Sequence, residues 1–181
     1  MEMRVLVAYG SKMGGTAGIA ELIGDALTDA GFQADVRPVA EVSHLDRYDV
    51  VVIGAALYRG HWHRQARRFV RRHTGALRER PVWLFSSGPL NGSAVEGIPP
   101  VPQVEELARR IGARGHVTFG GRLPADTKGF PASAMAKIHA GDWRDPERIR
   151  VWAAEVAAAL QAAGGGPGPG QGSRRPARPS R

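Results

Sequence analysis

Six consecutive residues, Ser11-Lys12-Met13-Gly14-Gly15-Thr16, carry the clearest chemical signal in the chain. They follow the apolar run Val5-Leu6-Val7 and precede a helical pattern with Thr16, Ile19, Ala20, Ile23 and Leu27 on one face. A strand, a small-residue turn and a helix opening make an anion site. The first helical N–H groups are free there, and they lie at the positive end of the helix dipole. Gly14 and Gly15 let the backbone close round an oxygen-rich group, and the Ser11 and Thr16 hydroxyls add hydrogen bonds. Two other phosphate loops do not fit. Lys12 precedes the glycine pair with no Ser or Thr after it, so the G-x-x-x-x-G-K-[ST] pattern is absent. Gly10 is followed by Ser11, Lys12 and Met13, so G-x-G-x-x-G is absent too. The expectation is a phosphate cradle of a third kind. A turn that merely favours small residues is the plainer alternative.

Two further stretches could line the same ligand. Leu57-Tyr58-Arg59-Gly60-His61-Trp62-His63 is rich in ring-bearing side chains, and Tyr58 and Trp62 would stack on a planar ligand or else pack in the core at a helix start. His61 and His63 alternate, but this spacing recruits no carboxylate and no third ligand, so no metal site is expected. His61 is a weak candidate for a local proton donor, while His73, His116 and His139 are read as structural. Ser87-Gly88-Pro89-Leu90-Asn91 is the third stretch, a small-residue loop after an apolar run. No Ser-His-Asp ordering or paired-carboxylate pocket stands out.

The elements that must position these stretches follow from periodicity. A first strand at about residues 3–8 leads into a helix ending near Ala30-Gly31. Phe32, Ala34 and Val36 alternate with polar neighbours before Pro38, as in a half-exposed edge strand. Val42 and Leu45 suggest a short helical turn. Val50-Val51-Val52-Ile53, closed by Gly54, reads as a strand buried on both faces, with a loop from Gly54 to His63. That loop opens a helix with Trp62, Ala66, Phe69, Val70 and His73 on one face and Arg64, Arg67, Arg68, Arg71 and Arg72 on the rest. Val82-Trp83-Leu84-Phe85 is a fourth strand, and Val104, Leu107, Ala108 and Ile111 mark a helix after a Pro-rich connection. His116–Gly121 is the last strand. A long connection, Arg122 to Arg144, follows, and Asp145 and Pro146 then start a final helix bearing Ile149, Trp152, Ala153, Val156 and Leu160. Five strands alternating with helices give a doubly wound parallel sheet, in which ligands bind beyond the carboxyl ends of strands. The loops after the first, third and fourth strands sit there.

Composition bounds the possibilities. The chain of 181 residues is read as a domain over 1–163 and a Gly/Pro/Arg-rich disordered tail over 164–181. With no cysteine there is no disulfide, thiolate nucleophile or sulfur-ligated cluster, so redox chemistry must come from a bound cofactor. No leader segment or membrane-length apolar run is read, so a cytoplasmic location is expected. Of the 25 basic residues only Lys12, Lys128 and Lys137 are lysines; Arg174, Arg175, Arg178 and Arg181 supply half of the net charge of +8. The arginine face from Arg64 to Arg72 reads as a solvated surface, with docking to an acidic partner or peripheral contact with anionic headgroups as the alternative. Few aromatics interleave these arginines, so no specific nucleic-acid partner is expected.

With its [ST]-x-x-G-x-T core after a strand, the chain resembles the flavodoxin-like FMN-binding family. Its segment Gly54-Ala55…Gly60-His61-Trp62-His63 is most similar to that of the menaquinone-dependent protoporphyrinogen dehydrogenase subgroup and related bacterial flavodoxin-domain proteins. The resemblance covers roughly residues 3–162 and implies a flavodoxin-like α/β fold: a doubly wound five-stranded parallel sheet of order 2-1-3-4-5 with helices on both faces. It implies FMN as cofactor. Ser11, Lys12, Met13, Gly14, Gly15 and Thr16 would cradle its phosphate; Leu57, Tyr58, Arg59, Gly60 and Trp62 would flank one face of the ring; Ser87, Gly88, Pro89, Leu90 and Asn91 would flank the other face or its pyrimidine edge. The function it implies is an FMN-dependent oxidoreductase moving hydrides or electron pairs between a small aromatic or quinone-type substrate and an acceptor, with a porphyrinogen as one candidate. A flavodoxin-type electron carrier docking on protein partners, or a flavin-free interaction module of the same fold, are the alternatives.

Overall fold

The computed structural model describes residues 2–11, 14–88, 98–123 and 141–164. Its centre is a parallel sheet of β1 (Arg4–Gly10), β2 (Gln33–Pro38), β3 (Val50–Tyr58), β5 (Val82–Ser87) and β6 (Gly115–Phe119) in the order β2-β1-β3-β5-β6. A short strand, β4 (His61–Trp62), pairs antiparallel with β3 and lies off this path. With β4 set aside, the five long strands follow the expected 2-1-3-4-5 order.

The strand sequences explain the layering. Side chains alternate across a strand, and β1, β3 and β5 are apolar at nearly every position, so both faces of each are buried. Leu6, Ala8, Val51, Ile53, Ala55, Val82 and Leu84 join the core on one side of the sheet. Helices α2 (Arg64–Arg72), α3 (Thr74–Arg78) and α4 (Pro102–Ile111) contribute Ala66, Phe69, Val70, Leu77, Val104, Leu107 and Ile111 to it. Val5, Val7, Val50, Val52, Trp83 and Phe85 face the other side, where α1 (Gly15–Asp29) and α5 (Pro146–Gly164) bring Ile19, Ile23, Leu27, Ile149, Ala153, Val156 and Leu160. The partly exposed β2 closes one edge, as its alternation and terminal Pro38 predict.

Helix ends follow their local chemistry. The α1 chain reverses at Gly31 (φ 91°), where Phe32 N–H donates to Leu27 O at 3.1 Å and Gly31 N–H to Thr28 O at 2.9 Å. These paired bonds satisfy carbonyls left open at the helix end, and Phe32 and Leu27 join one apolar cluster. Asp145 Oδ1 accepts from Glu147 N–H at 3.1 Å and Arg148 N–H at 3.2 Å, capping α5 where the sequence placed its start.

Four sequence expectations are corrected. Gly54 does not end the third strand: β3 runs on to Tyr58, and the segment expected to be a loop is a strand and a tight hairpin. The glycine is there because a Cβ at position 54 would fall inside the Phe85 ring. The turn expected around Val42 and Leu45 is a 3-10 turn at Val39–Glu41. Helix α3 was not anticipated. The long connection after β6 opens and closes with a two-stranded antiparallel unit, β7 (Arg122–Leu123) with β8 (Gly141–Asp142). The tail expected from 164 lies outside the described residues beyond Gly164.

Candidate functional site

The three loops singled out in the sequence leave the sheet at one edge. Gly10 pairs with Ala55, and Ala56 with Ser87, so the carboxyl ends of β1, β3 and β5 stand side by side. Gly10 is required there by close packing: a Cβ on it would come within 2.8 Å of Ala66 Cβ in the first turn of α2.

From the first loop, Ser11 is partly buried, and Gly14 precedes α1 in the left-handed region (φ 74°), where its carbonyl accepts from Gly18 N–H at 3.2 Å. The N-cap residue, Gly14, has no side chain to cap α1, and the first turn has no acidic residue. Gly15 and Thr16 are buried, and Thr16 Oγ1 has no hydrogen-bond partner. A buried hydroxyl without a partner is costly in a folded protein unless a ligand completes it. Uncapped N–H groups, a permissive glycine and an orphaned hydroxyl fit a phosphate bringing its own acceptor oxygens. Lys12 and Met13 lie outside the described residues.

The second loop is a β-hairpin. Leu57 pairs with Trp62 and Tyr58 with His61, while Arg59 (φ 48°) and Gly60 (φ 77°) form the two-residue turn. Positive φ at both central residues is what a tight hairpin of this twist demands, and here an arginine takes the first position. Tyr58 is exposed at 38%, with burial of its hydroxyl end raising its pKa and its ring 6.4 Å from that of His63. Its ring is available for stacking at the rim, as is the exposed tip of Arg59, Gly60 and His61. His61 Nδ1 lies 3.0 Å from Arg59 O; a carbonyl only accepts, so Nδ1 carries the hydrogen.

Of the two readings open for Trp62, stacking on a ligand or core packing at a helix start, the structure takes the second. It lies in β4 before α2, and its ring is 1% exposed within the core on the α2 side of the sheet. A ring that faced a ligand cleft would be open to solvent, so Trp62 anchors the hairpin instead of presenting a stacking face. Its backbone N–H donates to Gln103 Oε1 at 3.0 Å, and its Nε1–H to Ser86 Oγ at 2.8 Å.

Sequence reasoning read His116 as structural and gave Ser86 no role. Ser86 Oγ lies 2.8 Å from His116 Nε2. Burial pushes the His116 pKa down to about 4, so its ring is neutral near pH 7. In the neutral tautomer with Nε2 unprotonated, Ser86 Oγ accepts from Trp62 and donates to His116 Nε2, joining β4, β5 and β6 through a chain of polar groups. Ser86, directly after the apolar run Val82–Phe85, was the available signal, since a buried hydroxyl needs a partner.

In the third loop Ser87 is buried, and Gly88 (φ 132°) donates its N–H to Phe119 O at 2.9 Å. A Cβ on Gly88 would meet Leu57 Cβ at 3.5 Å, so the second and third loops touch at their bases. Pro89, Leu90 and Asn91 lie outside the described residues.

The β7–β8 unit brings a charged group that sequence spacing concealed. Asp142 accepts from Arg144 Nε at 2.8 Å and Nη2 at 2.5 Å, and Arg122 Nε stands 3.8 Å from its Oδ2. The Arg144 hydrogen bonds hold the Asp142 carboxyl below its usual pKa.

No described helix is long and apolar enough to cross a membrane. Comparison with known proteins places this architecture. A model of the flavodoxin domain family matches residues 6–132. Protoporphyrinogen IX dehydrogenase [quinone] of Escherichia coli K12 is 32% identical over 111 residues, and the match spans 60% of each chain. Among solved structures, a flavodoxin from Pseudomonas aeruginosa aligns at TM-score 0.57 and 20% identity, over 88% of this chain and 99% of the other. Rubredoxin oxygen:oxidoreductase from Desulfovibrio gigas aligns at TM-score 0.61 and 14% identity, over 88% of this chain and 36% of that one. At such identities the structures speak for the fold alone. The family match over most of the chain and the shared sheet order agree: the chain belongs to the flavodoxin domain family.

Proposed function

We propose that this protein is an FMN-dependent oxidoreductase passing electron pairs between a small aromatic or quinone-type substrate and a second acceptor. The observation that supports it most is the partnerless, buried Thr16 hydroxyl on an uncapped helix start free of acidic residues. Such a site calls for a ligand rich in oxygen. Ser11, Gly14, Gly15 and Thr16 would hold the phosphate, with Lys12 and Met13 between them in sequence. Leu57, Tyr58, Arg59 and Gly60 would border one face of the ring, and Ser87 and Gly88, followed by Pro89, Leu90 and Asn91, the other.

When bound, FMN supplies the hydride chemistry, and the protein supplies binding, orientation and charge. Arg59 and His61 stand at the hairpin tip, and the stretch from Leu57 to His63 has no acidic residue. Such surroundings stabilise the negative charge of a ring that has taken two electrons. His61 Nδ1 is held by Arg59 O, which leaves Nε2 as the nitrogen that can exchange a proton at the rim. The E. coli relative is named for a quinone, and we extend that acceptor to this chain, with a porphyrinogen as the donor to test first.

The purified protein is expected to be yellow and to release FMN on heating. Its colour should bleach under an anaerobic donor and return on adding a soluble naphthoquinone. A colourless protein that takes up no FMN refutes the proposal and leaves an interaction module. Colour that returns only with a protein oxidant favours a one-electron carrier. That second reading draws on the α2 face, where Arg64, Arg68, Arg71 and Arg72 are exposed.

A further inference from the structure

The start of α1 carries positive charge where a helix with nothing bound would avoid it. A helix N-terminus repels cations, and α1 has neither an acidic residue in its first turn nor a side-chain cap. Yet Arg122 of β7 and Arg144, just past β8, lie against the start of the helix. A Cβ on Gly15 would stand 3.2 Å from both Cβ and the carbonyl oxygen of Arg122, so the Arg122 backbone lies directly against the first residue of the helix. One turn further, the Arg144 guanidinium fills the space that a side chain on Gly18 would need. Gly15 and Gly18 share a helix face at i and i+3, and their missing side chains permit this approach.

Asp142 engages the two arginines unequally. Asp142 is engaged through both oxygens by Arg144, at 2.8 and 2.5 Å, whereas Arg122 reaches it only at 3.8 Å. Arg144 also feels Glu21 farther along α1. Arg122 makes the longer of the two ion pairs with Asp142; its side chain is 47% exposed, on a backbone that lies against Gly15 at the helix start. There, the buried Thr16 hydroxyl independently lacks a partner.

We propose that Arg122 binds the phosphate of the ligand held at α1, and that the Arg144–Asp142 pair positions the β7–β8 unit presenting it. This rests on the flavin reading and specifies its recognition. The phosphate is held by a guanidinium as well as by N–H groups, so the site selects a phosphorylated flavin over the same ring without phosphate.

Apoprotein of the full chain is titrated with FMN and with riboflavin by fluorescence quenching, at low and at moderate salt. For Arg122→Gln the FMN Kd should rise on the order of tenfold while riboflavin stays within about twofold. Arg122→Lys should keep most of the FMN affinity. Wild-type FMN affinity should fall more steeply with salt than that of Arg122→Gln. Equal losses for both flavins in Arg122→Gln would mean a structural effect and overturn the inference, as would an unchanged FMN Kd with an unchanged salt response. Both results leave the flavin reading standing. A wild type that binds neither flavin overturns both.

Discussion

Lowering the pH should weaken this fold through His116, by an amount that follows from its surroundings. Its pKa is moved from 6.5 to about 4 by burial. The unfolded chain therefore binds a proton at pH values where the folded ring does not, and stability falls as pH drops from above 6.5 toward 4. If the full shift acted, the loss between about pH 7.5 and about pH 4.5 would be ~3 kcal/mol. The ring is only partly buried, and solvent screening reduces this to about 2 kcal/mol. Charging also changes the polar chain, because a protonated Nε2 must donate to Ser86 Oγ, which then accepts from both rings and must turn its own hydrogen elsewhere. Urea unfolding of wild type and His116→Phe at both pH values isolates the effect. Asp35, Asp142 and His73, whose pKa values are also lowered, lose stability in the same direction in both proteins and drop out of the difference. The variant should be less stable at neutral pH but lose about 2 kcal/mol less on acidification. Equal losses in the two proteins would refute the argument that burial keeps His116 neutral.

Two substitutions test the packing around the site. Gly54→Ala should cost about 2–3 kcal/mol, because the new methyl group meets the buried Phe85 ring. In a double-mutant cycle with Phe85→Ala the penalty at Gly54 should largely vanish, and strict additivity of the unfolding free energies would contradict the contact. Trp62→Phe should cost about 1–2 kcal/mol by removing the Nε1 donor to Ser86, while leaving FMN affinity within about twofold. A large loss of FMN binding with little loss of stability would return Trp62 to the ligand.

Much of the architecture is legible because its causes are local. Val50–Ile53 and Val82–Phe85 are unbroken apolar runs, as strands covered on both sides must be, and Gly31 and Asp145 mark helix ends through turn and cap chemistry. The phosphate loop is legible for the same reason, since strand, glycine pair, hydroxyl and helix are contiguous. Reasoning failed where the cause lies elsewhere in the chain. Gly54 looks like punctuation until Phe85 is seen above it. The Arg59-Gly60 turn lacks the Asn or Asp that usually advertises a hairpin, so the ring-bearing segment passed for a loop and Trp62 stayed open between ligand and core. Arg122 and Arg144 show no relation to Gly15 and Gly18 in sequence; only the folded connection sets them side by side. The Ser86–His116 bond likewise crosses between strands that share no periodic signal.

The register of the central sheet has a kinetic consequence. Arg4 pairs with Gln33, Val5 with Val50, Val51 with Val82 and Trp83 with Gly115, so every parallel pairing joins strands separated by a complete crossover. Each requires a long loop to close before any contact repays the lost chain entropy, and sheets of this kind form slowly. The β3–β4 hairpin is the exception, since Leu57 and Trp62 are near neighbours in the chain. It can form on the microsecond scale typical of hairpins, about 1–10 μs. The indole it carries finds Ser86 only once β5 has docked, and Ser86 in turn meets His116 of β6, so the Trp62 environment reports the arrival of β5.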